Sequence, residues 1–410
     1  MNRALSLVRR NPDFRRLFLA QLVVFGGGWF LVVPLLALLS ELTGGGTLGG
    51  VVLAVETSVL ALLLPYAGTV ADRLDRKRLL IVANLVSVAA GLALLLVRAS
   101  GTVFVSLLAI AAIAAAQAFY IPAAQAALPN VVDPEDLAAA NTLSGSAWGT
   151  MLVIGASLGG LIASWLGPYP SFLIGAGFLA LAAILTVRVH RPFQAERTAP
   201  PPASATAALT ESLRYIAARP RVRALVTVKS AVGMGNGVLA AFPILAGVFS
   251  VGTMGMGLLY GARGLGALIG PLLLRAVLAT PRRLMTGLAT SMATYGICYL
   301  VVGMTPWFWL VLLLVVVAHV AGGGNWVLSN YALQTEIPDE LRGRVFAADV
   351  MIAMVAVSLS QAVAGYFTDI AGPQLVISVC GSITLLYAVA WRLATLRLLR
   401  ADAPAEQPAG

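Results

Sequence analysis

The sequence predicts an all-α membrane protein with twelve transmembrane helices in two pseudo-symmetric six-helix bundles. Three observations predict this fold: the composition, the number of long apolar runs and an internal repeat. Of the 410 residues, 59% are hydrophobic and only 11% are charged, whereas soluble domains carry about 25% charged residues. So few charged residues cannot cover the surface of a water-soluble protein, and the remaining surface must face lipid.

Twelve apolar runs are long enough to cross a membrane, because a spanning helix needs about 20 mostly apolar residues. The predicted spans cover residues 14–40, 47–71, 79–97, 102–128, 137–166, 169–189, 223–249, 252–274, 284–303, 307–335, 345–370 and 374–394. They divide the chain into a first bundle (1–189), a linker (190–222), a second bundle (223–396) and a tail (397–410). Within the linker, three prolines occupy positions 200–202, and residues 209–218 predict a short amphipathic helix at the membrane surface.

Lysines and arginines are concentrated in alternate loops. If the N-terminus is cytoplasmic, 24 of the 27 basic residues fall in segments on the cytoplasmic side. Of the other three, Arg98 lies in an external loop, and Lys229 and Arg263 lie within spans. Because cytoplasmic loops carry the excess of basic residues, both termini are predicted to be cytoplasmic. The net charge of +10 does not indicate nucleic-acid binding, since the basic residues form no single patch.

Short sequences recur between the two groups of six spans. Residues 134–137 (PEDL) recur at 338–341 (PDEL), and Gly-Pro at 167–168 recurs at 372–373. Six spans return the chain to the same side of the membrane, so these are parallel repeats related by an axis along the membrane normal. In transporters built in this way, the substrate site lies at the interface between the repeats.

The loop after the second span carries the most specific motif. Residues 68–78 read GTVADRLDRKR, which resembles the signature G-x-x-x-D-R-x-G-R-[RK] of the major facilitator superfamily, with Asp75 in place of the usual Gly. Residues 121–141 and 341–345 are similar to its branch of macrolide-efflux proteins and enterobactin exporters. The resemblance covers nearly the whole chain and implies a transporter with the major facilitator fold.

Asp72 in this motif predicts a contact between the two bundles. An acid at a helix end can stabilise the positive N-terminus of a neighbouring helix, and the resemblance implies that this neighbour is the eleventh span, near residues 344–349. We expect a latch on the cytoplasmic side when the protein faces outward. Its predicted residues are Gly68, Asp72, Arg73, Arg76, Arg344 and Asp349. The alternative for the basic residues is that they only set the topology.

Five ionisable side chains are predicted within the spans: Glu56, Lys229, Arg263, His319 and Asp349. A charge that faces lipid near the bilayer centre costs at least ~2.5–3.5 kcal/mol, so we expect all five to face protein or a cavity. For Lys229 and Asp349, a fixed ion pair between helices is the alternative to a role in transport.

Glu56, Arg263 and His319 are candidates for proton coupling. Aligning the repeats places Glu56 on Arg263, each ~18 Å from the cytoplasmic end of its helix at 1.5 Å per residue. We expect Glu56 to carry the proton, with Arg263 as its partner or as an anchor for the substrate. The alternatives are a permanent ion pair or two separately hydrated residues, and for His319 a hydrogen-bonded core histidine.

The remaining candidates for a substrate cavity are polar or aromatic side chains within the spans. Wide glycine faces beside them predict room for a bulky, partly apolar ligand. The candidates are Gln21, Trp29, Gln117, Tyr120, Trp148, Lys229, Asn236, Tyr260, Asn325 and Trp326.

The direction of transport has one weak signal. Residues 155–160 (GASLGG) resemble the antiporter signature G-P-x-x-G-G, with Ala156 in place of Pro. The resemblance implies export, whereas the alternative, a small-residue face for helix packing, implies no direction.

The sequence contains no Walker-type loop, and its two histidines cannot form a usual metal cluster. We therefore expect no enzyme, cofactor or bound metal, but a monomeric secondary transporter in the bacterial inner membrane. Its predicted activity is proton-coupled efflux of a drug-like or siderophore-like molecule. The alternatives are uptake or uniport of a small solute by the same fold, and a membrane enzyme or receptor.

The predicted topology can be tested with reporter fusions. A reporter fused after Gly101 is expected to be external and one fused near Ala203 cytoplasmic, because this places 24 of 27 basic residues inside. Paired phosphatase and fluorescent-protein fusions measure the location of each site. The opposite location for either fusion contradicts the topology.

Overall fold

The structure is a computed structural model that describes residues 2–194, 205–274 and 281–401. In these ranges the chain forms helices and no strand. The α-helices are α1 (Asn2–Arg10), α2 (Pro12–Thr43), α3 (Thr47–Arg73), α4 (Arg76–Ala93), α5 (Phe104–Val131), α6 (Leu137–Leu166), α7 (Pro168–Val187), α8 (Ala205–Ala218), α9 (Pro220–Gly235), α10 (Val238–Val248), α11 (Gly252–Leu274), α12 (Pro281–Val302), α13 (Phe308–Glu336), α14 (Asp339–Ala371) and α15 (Pro373–Ala401).

Among the described residues, twelve spans are long and apolar enough to cross a membrane, which confirms the predicted number. Spans 1–6 are α2–α7, span 7 is α9 with α10, and spans 8–12 are α11–α15. Because twelve is even, α2 begins and α15 ends on the same side of the membrane. We call this side the terminal side and the other the opposite side, and we call α1–α7 the first half and α9–α15 the second half.

The two halves pack along two seams. In one seam α3 lies against α14, and in the other α6 lies against α11. A Cβ atom built on Gly50 would lie 2.6 Å from Cα of Gly365, and one built on Gly257 would lie 3.0 Å from Cα of Gly160. The helix backbones are therefore in contact at both seams, as small residues allow in membrane proteins.

Residues 155–160 take part in this packing. A Cβ on Gly155 or Gly159 would lie 3.2 Å from backbone atoms of α2, and Gly160 faces Gly257 of α11. Helix packing therefore accounts for the small residues of this stretch without reference to a direction of transport.

The seventh span is broken, whereas the sequence predicted one helix over residues 223–249. Helices α9 and α10 meet at Asn236, whose side-chain amide donates to the carbonyl of Val232 at 2.7 Å. Ser360 of α14 donates to the carbonyl of Met234 and accepts from the N–H of Gly237 at 2.9 Å. The Ser360 hydroxyl thus binds backbone groups that the broken helix frees, as a low-dielectric membrane interior requires. The Gly-Asn-Gly sequence at 235–237 was the signal for this break.

Two short helices lie outside the spans. Helix α1 was not predicted; it buries Leu7, and its Arg10 forms an ion pair with Asp136. Helix α8 extends the predicted amphipathic helix at residues 209–218 by four residues toward the N-terminus. The prolines at 200–202 lie outside the described residues, as do residues 402–410 of the predicted tail.

A buried ion pair joins two helices of the second half. The ammonium group of Lys229 on α9 binds the carboxylate of Asp349 on α14, and both side chains are fully buried. Lys229 also donates to Oδ1 of Asn330 on α13 at 2.6 Å. The second carboxylate oxygen of Asp349, Oδ1, is buried without a hydrogen-bond partner. The geometry is the fixed ion pair that was the alternative to a role in transport.

The buried ion pair of Lys229 and Asp349 leads to a prediction about stability. Asp349→Asn is expected to destabilise the protein by about 3–5 kcal/mol, because it leaves the Lys229 ammonium buried without a counter-charge. The double variant Lys229→Met/Asp349→Leu is expected to recover part of this loss, since it removes both charges. Thermal unfolding in detergent measures both effects.

The matched control is Arg344→Gln, which breaks the ion pair between Arg344 and Glu211, whose side chains are 44% and 55% exposed. Exposed pairs contribute about 0–1 kcal/mol, so this variant is expected to melt near the wild type. Equal melting temperatures for Asp349→Asn and Arg344→Gln would contradict the prediction.

Candidate transport site

A cavity lies among helices of the first half, on the side that faces the second half. Its walls come from α2, α3, α5 and α6, and the space between them measures about 430 Å³, including the part that opens outward. The lining residues are Phe25, Gly28, Trp29, Leu31, Val32, Glu56, Ile113, Gln117 and Trp148. Mainly apolar and aromatic walls with a few polar groups are typical of a small-molecule site.

Glu56 is the one charged residue among those that line this cavity. Among the described residues, neither Glu56 nor Gln117 has a hydrogen-bond or ion-pair partner in the protein. Gln117 lies against Gly28, where a Cβ would be 3.6 Å from its Nε2. The cavity therefore presents one carboxyl group and one amide to whatever enters it.

Arg263 of α11 approaches the same cavity from the second half. Its guanidinium carbon lies 5.7 Å from the ring centre of Trp148, which lines the cavity together with Glu56. No ion pair within 4.0 Å joins these two described residues. The structure thus brings Glu56 and Arg263 into one region without a direct bond between them.

Aromatic side chains cross from one half to the other beside the cavity. The rings of Trp29 and Tyr260 are 5.7 Å apart, and Tyr260 also packs against Phe242 at 5.4 Å. The hydroxyl of Tyr260 donates to the carbonyl of Leu239 at 3.1 Å, which holds this tyrosine beside the cavity. The predicted candidates Trp29, Gln117 and Trp148 therefore lie on the cavity, and Tyr260 lies next to it.

Between the cavity and the opposite side of the membrane, the two halves are in contact. Along α3 and α14 the contacts run from Gly46 and Asp369 at the opposite side to Ser58 and Ser358 near the middle. Trp148 lines the cavity and is nevertheless 40% exposed. The contacts between the halves therefore close the cavity on the opposite side.

Five other predicted candidates lie elsewhere. Gln21 bridges α2 and α6 by a 3.5 Å hydrogen bond to the carbonyl of Ser144. Tyr120 is buried in the first half. Asn325 binds the Ser291 hydroxyl at 2.9 Å within the second half. The last two candidates also have their contacts within the second half. Asn236 lies at the helix break, and the ring centre of Trp326 is 5.1 Å from the Lys229 ammonium.

His319 is enclosed by aromatic residues of the second half. Its Nε2 lies 2.8 Å from the hydroxyl of Tyr299, and its ring contacts Tyr295 edge-on at 5.3 Å. The side chain is only slightly exposed, at 5%. This geometry is that of the hydrogen-bonded core histidine that the sequence left as an alternative.

The predicted latch is only partly described. Gly68, Asp72 and Arg73 belong to α3, but the structure does not describe the side-chain placement of Asp72 and Arg73. Arg76 donates to the carbonyl of Ala126 at 2.8 Å within the first half, and Arg344 pairs with Glu211 of α8 at 2.9 Å. The contact between Asp72 and α14 stays a prediction.

Sequence reasoning missed two kinds of residue. Phe25, Gly28 and Ile113 line the cavity, but an apolar residue on a span carries no sign of whether it faces lipid or a cavity. Asp369 lies within the eleventh predicted span and was not counted among its ionisable groups. The signal was its position: Asp369 lies within the predicted span 345–370, three residues before Gly372, where the first repeat has Ser164 three residues before Gly167.

Comparisons with known proteins agree with this architecture. The model of the Major Facilitator Superfamily matches residues 17–360. The multidrug efflux pump Tap of Mycobacterium tuberculosis (strain ATCC 25618 / H37Rv) is 27% identical over 390 residues, which cover 88% of each chain. The enterobactin exporter EntS of Salmonella typhimurium is 28% identical over 352 residues, covering 83% of this chain and 82% of the exporter.

Solved structures share the fold at low sequence identity. A POT family transporter in complex with 5-aminolevulinic acid has a TM-score of 0.77 at 10% identity and covers 94% of this chain and 96% of its own. An inward-facing bacterial homolog to the human lysosomal transporter Spinster has a TM-score of 0.75 at 14% identity and covers 96% and 98%. The motif, the twelve spans and the match over residues 17–360 show that the chain belongs to the Major Facilitator Superfamily, and it is therefore a membrane transporter and not an enzyme.

Proposed function

We propose that this transporter exports a small, partly apolar molecule of drug-like or siderophore-like kind from a bacterial cell in exchange for protons. Residues 1–189 and 223–396 move against each other, so that the cavity opens to one side of the membrane at a time. The protein acts as a monomer in the inner membrane, with both termini in the cytoplasm and no cofactor.

The unpaired carboxyl group of Glu56 in the cavity carries this proposal. A residue that transports protons must change its protonation state during each cycle, which a permanent ion pair hinders. Arg263 lies near Glu56 across the interface between the halves, beside Trp148, but is not bonded to it. When Arg263 is drawn away, or is engaged by an anionic substrate, Glu56 regains a proton.

Glu56 is better placed than His319 for this role. His319 is bonded to Tyr299 and enclosed by rings, whereas Glu56 lines the open cavity. Proton and substrate therefore use the same space, so that their binding is coupled through Glu56 and Arg263.

Export is supported by the relatives that this chain resembles. One is named a multidrug efflux pump and the other an enterobactin exporter. The walls formed by Phe25, Trp29 and Trp148 suit an aromatic or partly apolar molecule. Uptake or uniport by the same fold is the alternative, and the direction of transport decides between them.

The conformation of the structure fits one step of this cycle. With the termini in the cytoplasm, a cavity closed on the opposite side is open to the cytoplasm and receives its substrate there. The latch of Asp72 with the N-terminus of α14 belongs to the other state, in which the cytoplasmic side is closed.

Replacing Glu56 by Gln tests the proton coupling, since Gln keeps the shape of the side chain but does not titrate. Cells that express the wild type are expected to keep an exported compound at low internal concentration, and a protonophore is expected to abolish this. In Glu56→Gln cells the ratio of internal concentration with and without protonophore is expected to fall to about one, because transport without coupling cannot build a gradient. Accumulation of radiolabelled drugs and siderophores measures the ratio.

The matched control is Glu41→Gln, which makes the same change at an exposed position at the opposite-side end of α2. It is expected to transport like the wild type. Protonophore-sensitive export by Glu56→Gln shows that another residue carries the proton. Higher internal accumulation by the wild type than by cells without the gene supports uptake instead of export.

A further inference from the structure

The N-terminus of α3 is bound by an acid from the other half of the protein. Asp369, near the end of α14, accepts hydrogen bonds from the backbone N–H of Gly46, from the backbone N–H of Thr47 at 2.9 Å, and from the Thr47 hydroxyl. The N-cap residue, Gly46, offers no side chain for capping. The first N–H groups of a helix need an outside acceptor, and Asp369 supplies it across the seam.

The turn before α3 leaves space for this carboxylate. A Cβ built on Gly45 would lie 2.7 Å from both carboxylate oxygens of Asp369. Gly44 has a φ of +71°, which glycine adopts readily and which ends α2 before the turn. A side chain at position 45 would therefore displace Asp369 from the end of α3.

Asp369 differs from the other polar groups at the interface by its charge. Asp369 binds across the interface with a charged side chain. Other described contacts between the halves join neutral groups: Thr57 donates to Gln361 at 3.0 Å, and Ser358 bonds with Ser58 and donates to the carbonyl of Ala54 at 2.9 Å. Hydrogen bonds to an ionised acceptor are about twice as strong as neutral ones.

The second seam lacks this contact. The Gly-Pro repeat places Ser164 of α6 at the position that matches Asp369 of α14. Ser164 is exposed, and its hydroxyl donates to Leu161 of its own helix at 2.6 Å. In the described residues, the α6–α11 seam thus has close backbone packing with Ser164 turned to its own helix, whereas the α3–α14 seam has both close packing and the charged contact of Asp369.

We propose that Asp369 is an electrostatic clamp that holds the transporter closed on the opposite side. Its negative charge interacts with the positive end of the α3 helix dipole and with three donors at once. When the halves separate on this side, water replaces these bonds and the dipole interaction is lost. The clamp thus sets the ratio of the two conformations, whatever the substrate and the direction of transport.

Spin labels on the two halves measure this ratio without any substrate. Gly101 lies in an exposed loop of the first half, and Met304 is 74% exposed in the second half, both on the opposite side. The free cysteines Cys298 and Cys380 are buried and are replaced by Ser before labelling. Electron–electron resonance in lipid nanodiscs then gives the populations at short distance (closed) and long distance (open).

In Asp369→Asn the ratio of open to closed populations is expected to rise about fivefold, because the charge at the helix end is lost. Thr47→Val keeps the charge and removes one donor, so a smaller rise in the same direction is expected. Because Thr47 lies at the surface end of α3, Thr47→Val is expected to fold. This variant therefore tests the proposed clamp even if Asp369→Asn does not fold.

The matched control is Ser164→Ala, at the position that the repeat equates with Asp369. Its ratio is expected to equal that of the wild type. If the ratio of open to closed populations is unchanged in folded Asp369→Asn and Thr47→Val, the proposed clamp is wrong. An equal rise in Ser164→Ala also overturns it, because it would show that any change at this side opens the protein.

Discussion

A charged side chain inside a membrane needs either a partner or a polar cavity, because lipid tails supply neither a counter-charge nor polar groups that solvate an ion. The two halves meet this constraint differently. In the second half, Lys229 and Asp349 bind each other without exposure. In the first half, Glu56 lies without a bonded partner in a cavity lined by Trp29 and Trp148. Pairing fixes the helices that carry Lys229 and Asp349, whereas the cavity leaves Glu56 available to protons and ligands.

Helix α14 shows how one element serves both rigid and movable contacts. Asp349 and Ser360 bind α9 and the break before α10, so they join helices of the same half. Ser358, Gln361 and Asp369 bind α3 of the other half, and they lie toward the opposite side. Separation of the halves breaks only the second group of contacts. The second half can therefore move as a body while its internal polar groups stay bonded.

The sequence predicted the features of this architecture that follow from its apolar runs and its internal repeat. Twelve apolar runs gave twelve spans, and the repeat alignment placed Glu56 of α3 and Arg263 of α11 at matching positions. The break at Asn236 was missed, because the apolar run continues through it and Ser360, its partner, is distant in sequence. The partners of Asp369 were out of reach for the same reason, whereas the ion pair of Lys229 with Asp349 had been considered as an alternative. The walls of the cavity were only partly predicted, because Phe25 and Ile113 look like lipid-facing residues in sequence.

The distribution of charge over the two halves explains how proton binding can be linked to conformation in the proposed mechanism. Glu56 belongs to α3 of the first half and Arg263 to α11 of the second. Rocking of the halves changes the separation of these two groups, and Coulomb energy varies with distance. Each conformation therefore has its own proton affinity at Glu56, and by reciprocity each protonation state favours one conformation. An ion pair within one half, such as Lys229 with Asp349, moves as a unit and cannot couple in this way. Opposite charges at matching positions of a duplicated fold are sufficient for such coupling, provided that they are not bonded to each other.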